Sequence, residues 1–300
     1  MKKEKVYKAW STPVSAEDSR AIPCALCAGG RFKPALQCEG FSYVKCADCG
    51  LVQVNPQPEK TDVMRRYGEA FGEDYFSYEL AHEEPFLQLQ LLAFQDADFD
   101  TLEKESFGRA AGEHGDAPAV LDVGCATGAL LALLKGRGWR TTGVEISPSA
   151  QYAQKERGLD IKTIPLEENG FPAASFELVH ASHLIEHLNA PRIFLDEVFR
   201  VLKPDGRFLI TTPNIDGFQS RFFGNRWRSA IFDHLYLFSV RTLKAMLAGS
   251  GFVVEGVYTW GGLGAGLAPL WLKRPADRLA KRFGAGDVMM MKARKKKPGE

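Results

Sequence analysis

From Ala119 onward the chain alternates short apolar runs with helical stretches, and no other feature of its 300 residues narrows the fold as far. The runs are AVLDVG, WRTTGVEI, IKTI, FELVHA, RFLITTP, FVVEGVY and DVMMMKA. Parallel strands need crossover helices between them and, once covered on both faces, read as nearly continuous apolar segments. The pattern therefore predicts an α/β fold with a doubly wound, seven-stranded, mostly parallel sheet. The last two strands lie close together, which suggests one antiparallel hairpin.

Cysteine usage sets a second constraint. Five of the six cysteines lie between Cys24 and Cys49, as Cys24-Ala-Leu-Cys27 and Cys46-Ala-Asp-Cys49 separated by eighteen residues. The N-terminal lysines have no apolar run behind them, so no signal peptide and a cytoplasmic location are expected, and there clustered thiols point to metal before disulfide. Two such turns present four thiolates, the donor set of tetrahedral zinc. About 35 residues bury too little apolar surface to fold alone, whereas structural zinc contributes on the order of 10 kcal/mol. A zinc ribbon held by Cys24, Cys27, Cys46 and Cys49 follows. The site is closed, hence structural, and Cys38 is left as a free thiol.

These signals divide the chain into a tail (1–20), a zinc ribbon (21–55), a helical connector or lid (56–115) rich in Glu, Gln, Leu and Phe, and the sheet domain (116–300). Hydrophobic residues make up 45% and charged residues 25%, enough for a real core. The net charge of +1 gives the whole molecule no pull toward nucleic acid. The one dense basic run, Lys292 to Lys297, reads as a solvated tail. The longest apolar stretch, Gly261 to Leu272, is too short to span a membrane. It reads as a helix packed on its own domain, with weak peripheral membrane contact as the alternative because Lys273, Arg274, Arg278, Lys281 and Arg282 follow.

Val120-Leu121-Asp122-Val123-Gly124-Cys125-Ala126-Thr127-Gly128 is a strand entering a glycine turn that opens the helix ALLALLKGRG. Such a turn brings backbone N–H groups and a helix N-terminus to a ligand. Dinucleotide binders use G-x-G-x-x-G, but from Gly124 the other two glycines would fall at Ala126 and Ala129. The second strand ends in Glu145, where a carboxylate can accept both ribose hydroxyls of an adenosine.

With VLDVGCATG, GVEIS, FELVHASHLIEHL, RVLKPDGRFLITTPN and GDVMMMKARK in order, the sequence resembles a class I S-adenosylmethionine-dependent methyltransferase, a Rossmann-like fold, from Ala119 to the C-terminus. CADCGLVQVNPQPEKTDVMRRYGEAF is similar to a bacterial subgroup in which a four-cysteine ribbon precedes that domain. Its members are associated with sugar, cell-surface polysaccharide and secondary-metabolite pathways. The resemblance implies a turn from Gly124 through Cys125 to Gly128 at the methionine part of the cofactor, supported by Asp122. It further implies Glu145 on the ribose, Ile146 facing the adenine, and Pro165-Leu166-Glu167 at the ring edge. The family usually has glycine at Ala126, a departure that a negative φ would accommodate.

His183 to His187 reads HLIEH, the H-x-x-E-H signature of a zinc peptidase. A peptidase needs both histidines on one face of a continuous helix, whereas these straddle a strand-to-helix transition with Pro191 close behind. The resemblance places His183 beside the methionine moiety, while Glu186 and His187 fix the loop or face the acceptor. His180 reads as a strand histidine without a chemical task. In NRWRSAIFDHLYLFS, similar to the family's lid, His234 is a candidate base or a cap for the helix from Ser239, Trp227 a stacking surface, and Arg226 or Arg228 an anion holder. The expected function is methyl transfer to a hydroxyl or carbon of a small-molecule acceptor, with His234 or His187 as the catalytic residue. The alternatives are an RNA methyltransferase gripping RNA through the ribbon, and a non-catalytic scaffold. Between Ala21 and Asn55 only Arg31, Lys33 and Lys45 are cationic, few for tracking phosphates.

Overall fold

The structure, a computed structural model, describes residues 19–38, 40–59, 70–113, 115–261, 280–281, 284–297 and 299–300. Beyond Gly261, the apolar stretch ending at Leu272 lies outside them, as does nearly all of the N-terminal tail. Strands β1 (Ser19–Arg20), β2 (Phe32–Cys38), β3 (Phe41–Cys46), β4 (Val52–Val54) and β5 (Gln57–Pro58) come first. Helices α1 (Ala70–Ala81), α2 (Glu83–Asp96) and α3 (Phe99–Glu113) follow. The alternating part contains β6 (Ala119–Val123), α4 (Ala129–Gly136), β7 (Arg140–Val144), α5 (Ser149–Arg157), β8 (Asp160–Lys162), β9 (Phe176–Ser182), α6 (Pro191–Val201) and β10 (Leu202–Pro213). Then come α7 (Phe218–Phe223), β11 (Tyr236–Leu237), α8 (Val240–Gly249), β12 (Phe252–Trp260) and β13 (Val288–Lys295).

Seven strands form one sheet in the order β12-β13-β10-β9-β6-β7-β8. Pairing is parallel from β10 through β8, while β13 runs antiparallel between β10 and β12. Successive side chains of a strand alternate faces, and the two large apolar clusters record that alternation. Leu121, Val179, Phe208, Ile210, Met289 and Met291 pack with α6 and α8, whereas Val120, Leu178, Leu209 and Met290 pack with α2 to α5. Helix α6 shows why it lies there: Pro191, Phe194, Leu195, Val198 and Val201 are buried at helical spacing.

Three observations refine the sequence reading. The region read as a connector contributes Ala93, Phe94, Phe99 and Leu102 to the core on one face of the sheet. The run from Lys292 is no solvated tail through Lys295: it forms the end of β13, paired with β12, and Lys292 donates to the Ala97 carbonyl at 2.9 Å. The ribbon, too, is joined to the sheet domain. Its four-stranded sheet has the order β11-β4-β3-β2, so Tyr236–Leu237 supplies one edge. Cys24, Cys46 and Leu51 meanwhile belong to the same apolar cluster as α6 and α8.

Candidate functional site

The turn after β6 is left-handed at Gly124 and Gly128, both with φ 75°. L-residues with a Cβ resist that conformation, and at Gly128 a Cβ would also stand 2.6 Å from Leu159 Cδ1. Ala126 is left-handed as well, at φ 49°. The negative φ that would accommodate an alanine there is not found. Its N–H donates to Glu145 Oε2 at 2.9 Å, which aims the turn at the end of β7. Glu145 Oε1 accepts from the Ser147 N–H at 2.8 Å. A carboxylate has about four lone-pair sites, so two bonds to the backbone leave Glu145 able to accept from a ligand.

The other residues expected at the cofactor divide by burial. Cys125 points its thiol into the core, and burial pushes that thiol well above its ordinary range. A Cβ on Gly143 would stand 2.7 Å from its Sγ. The Cys125 side chain is thus turned away from any ligand at the turn. Leu166 is buried in the α6 and α8 cluster, and Ile146 is half-buried. The exposed apolar surface at this lip belongs to Ile164, two residues past β8, which the sequence reading passed over. Asp122 is buried, and its Oδ1 lies 2.7 Å from His180 Nδ1. Asp122 and His180 are register partners on β6 and β9, so His180 is the partner of the carboxylate under the turn.

Beyond β9, His183 adopts φ 53° and leads into the short turn Ile185–His187. Leu184 of this loop rests against Gly124, with its Cδ1 3.5 Å from where a Cβ would be. Glu186 is wholly buried. Its Oε1 lies 3.2 Å from His183 Nδ1, and its Oε2 accepts from Thr212 Oγ1 at 2.9 Å. Burial alone would raise this carboxyl. The hydrogen bond from His183 and the charge of that imidazole, ahead of His187 and His234, outweigh it and hold the carboxyl down at about 2. The His187 and His234 rings meet edge to face at 4.7 Å. Burial, and after it His187, pushes the His234 imidazole down to about 3. His234 is thus a weak proton acceptor at neutral pH.

The segment carrying His234 leans on the ribbon. The Tyr43 hydroxyl lies 2.7 Å from the Ile231 carbonyl and 2.8 Å from that of His234, and Val54 N–H donates to Leu235 at 2.8 Å. Trp227 is not a stacking surface for an acceptor: it is buried, with its indole N–H on Asp287. Arg228 also donates to Asp287, at 2.6 Å, whereas Arg226 is exposed. Ser239 and Thr242 form the capping box of α8, so His234 does not cap it.

In the ribbon, Cys24 and Cys49 Sγ lie 3.4 Å apart and Cys27 and Cys46 Sγ 3.5 Å apart, with all four within 4.8 Å of one another. A tetrahedral zinc with bonds near 2.3 Å spaces its sulfurs by about 3.8 Å, so the donors fit that ion. Each turn closes alike, Ala28 N–H to the Cys24 carbonyl and Gly50 N–H to that of Cys46. Arg31 is ion-paired with Asp48, which leaves the ribbon less charge for phosphates. Glu79 of α1 was not anticipated. Its Oε2 accepts from Ser149 Oγ at 2.6 Å, and burial pushes its carboxyl up to about 7.

A family profile described as a methyltransferase domain matches residues 95–257. A probable S-adenosylmethionine-dependent methyltransferase of Mycolicibacterium smegmatis is 33% identical over 156 residues, covering 50% of this chain and 58% of that protein. The mitochondrial ubiquinone biosynthesis O-methyltransferase of Rattus norvegicus is 31% identical over 125 residues, covering 38% and 36%. The chain thus spans less than two thirds of these relatives. Among solved structures, an S-adenosylmethionine-dependent methyltransferase of Thermotoga maritima, possibly acting on histamine, superposes with a TM-score of 0.51 at 19% identity, covering 78% of this chain and 99% of that one. The 1,6-didemethyltoxoflavin-N1-methyltransferase of Burkholderia thailandensis gives 0.50 at 15% identity, covering 88% and 100%. At such identity the superpositions speak to the fold.

Proposed function

Since the chain belongs to the class I S-adenosylmethionine-dependent methyltransferase family, we propose that it transfers a methyl group to a hydroxyl or carbon of a small molecule, such as a sugar, a polysaccharide precursor or a secondary metabolite. The observation that carries this reading is Glu145, held by two backbone N–H groups at the mouth of the Gly124–Gly128 turn with accepting capacity to spare. Bound S-adenosylmethionine supplies a methyl group already activated on a sulfonium.

The chain's own residues bind and orient. Glu145 takes the ribose hydroxyls, while Ile146 and the exposed Ile164 flank the adenine. The turn and His183 border the methionine part, and Asp122, through His180, keeps the turn in place. Leu166 and the Cys125 side chain act from the core, behind the ligand. Because the leaving group is good, alignment accounts for most of the acceleration, on the order of 7–11 kcal/mol in favourable cases. His187 and His234 face the acceptor side. Zinc on Cys24, Cys27, Cys46 and Cys49 is structural, and through Tyr43 and β4 the ribbon supports the segment that carries His234.

The test is a calorimetric titration of zinc-replete protein with S-adenosylmethionine, with NAD as control and Glu145→Ala alongside. Charge-assisted hydrogen bonds contribute roughly 1.5–3 kcal/mol each, so the variant should bind at least about tenfold more weakly. Binding of NAD in place of S-adenosylmethionine, or equal affinity in the variant, would sink the proposal.

A further inference from the structure

We infer that Glu186, His187 and His234 hold a divalent cation of the zinc class, a second metal site distinct from the four cysteines. The inference rests on the reading of this lip as the acceptor side. One carboxylate oxygen and one nitrogen from each ring lie within 4.8 Å of one another, so the donors converge on a common point. Two histidines and a glutamate are the donor set of catalytic zinc sites, which keep a fourth position open. The closed four-thiolate ribbon lacks such a position.

Two further observations favour an ion over a packed polar cluster. A wholly buried carboxylate needs a compensating positive charge. Among the described residues the only ion-pair partner recorded for Glu186 is His183, an imidazole that is 49% exposed in its side chain and charged only when protonated. The second concerns His234. Its Nδ1 lies 2.8 Å from the Ser229 carbonyl, an acceptor, so Nδ1 carries a proton and, in the neutral ring, Nε2 presents a lone pair. Metal-bound histidines are oriented in this way by a backbone carbonyl, and ligating carboxylates are themselves hydrogen-bonded, as Glu186 is by Thr212.

The position suits the reaction. Leu184, on the same loop, packs against Gly124, so the cation would sit on a segment that borders the cofactor turn. An acceptor oxygen in the open position would be polarised and would lose its proton to solvent more readily. His234 is then a ligand, not a base, and the favoured acceptor carries a hydroxyl free to coordinate.

The experiment counts metal in the full-length protein. Cobalt(II) is added to metal-free chain while native mass spectrometry reads the stoichiometry and absorption reads the ligands. S-adenosylhomocysteine binding is measured in parallel. Two ions per chain are expected: one with an intense thiolate charge-transfer band, the other with weak bands of nitrogen and oxygen ligands. Glu186→Gln and His234→Gln should each lose the second ion and keep the first. Saturation at one ion per wild-type chain overturns the site, whatever the variants do, and so does a second ion retained by both variants. S-adenosylhomocysteine binding with a single ion refutes the cation site and leaves the methyltransferase reading intact. Two ions without it would do the reverse.

Discussion

Ala126 stands in the left-handed region within the Gly124–Gly128 turn. A residue with a Cβ is penalised there by roughly 1–2 kcal/mol, and glycine's extra freedom when unfolded offsets about half of that. Ala126→Gly should therefore raise stability by up to about 1 kcal/mol, seen as a higher midpoint in urea, with cofactor affinity undiminished. Glu79 makes a prediction about pH. Its carboxyl is raised to about 7 in the folded chain from an ordinary 4.5, so between those values the native state holds a proton that the unfolded chain has lost. Stability must then fall as pH rises from about 4.5 to 7, by up to roughly 3 kcal/mol. Replacing Glu79 with Gln should flatten that slope, which denaturation at a series of pH values would reveal.

At the scale of elements, the Tyr43 hydroxyl is placed to tie β3 to the segment entering β11. Tyr43→Phe removes the one donor these carbonyls share; that of Ile231 still accepts from the His234 N–H at 3.1 Å, so the loss falls on the His234 carbonyl and should cost about 1–3 kcal/mol. Amide exchange should quicken around Ile231 to Leu237 while S-adenosylhomocysteine affinity holds. This strand pairing also marks what could not be read from sequence. The seven strands of the large sheet were legible because each is an apolar run and most have a helical stretch behind them, and the paired cysteines because their spacing is local. Tyr236–Leu237 is two residues long and shows no period. The contact between Asp122 and His180 depends on register across β6 and β9, which no local pattern encodes. Trp227 looked like a surface for a ligand because aromatic residues in an irregular segment so often are. It is instead buried among Tyr43, Val52, Val54 and Leu237, with its indole N–H on Asp287, sixty residues away.

For the molecule as a whole, Cys24, Cys46 and Leu51 share a cluster with Val198, Phe208 and Met289, so ribbon and sheet form one continuous core. Removing the zinc proposed for the ribbon, an ion that contributes on the order of 10 kcal/mol in small zinc domains, should therefore not release a detached flap. Chelation is expected to lower the main thermal transition of the entire chain and to keep it a single step. A separate early transition confined to the ribbon would contradict this. The β4–β11 pair has one more consequence, for the chain during its synthesis. Val54 leaves the ribosome long before Tyr236, and at ordinary elongation rates the interval is roughly 10–40 s. Throughout it β4 presents an unpaired strand edge, the kind of surface that recruits other chains. Newborn protein should thus be most prone to misassembly before its lip segment arrives, and slowing translation between those two points should lower the soluble yield.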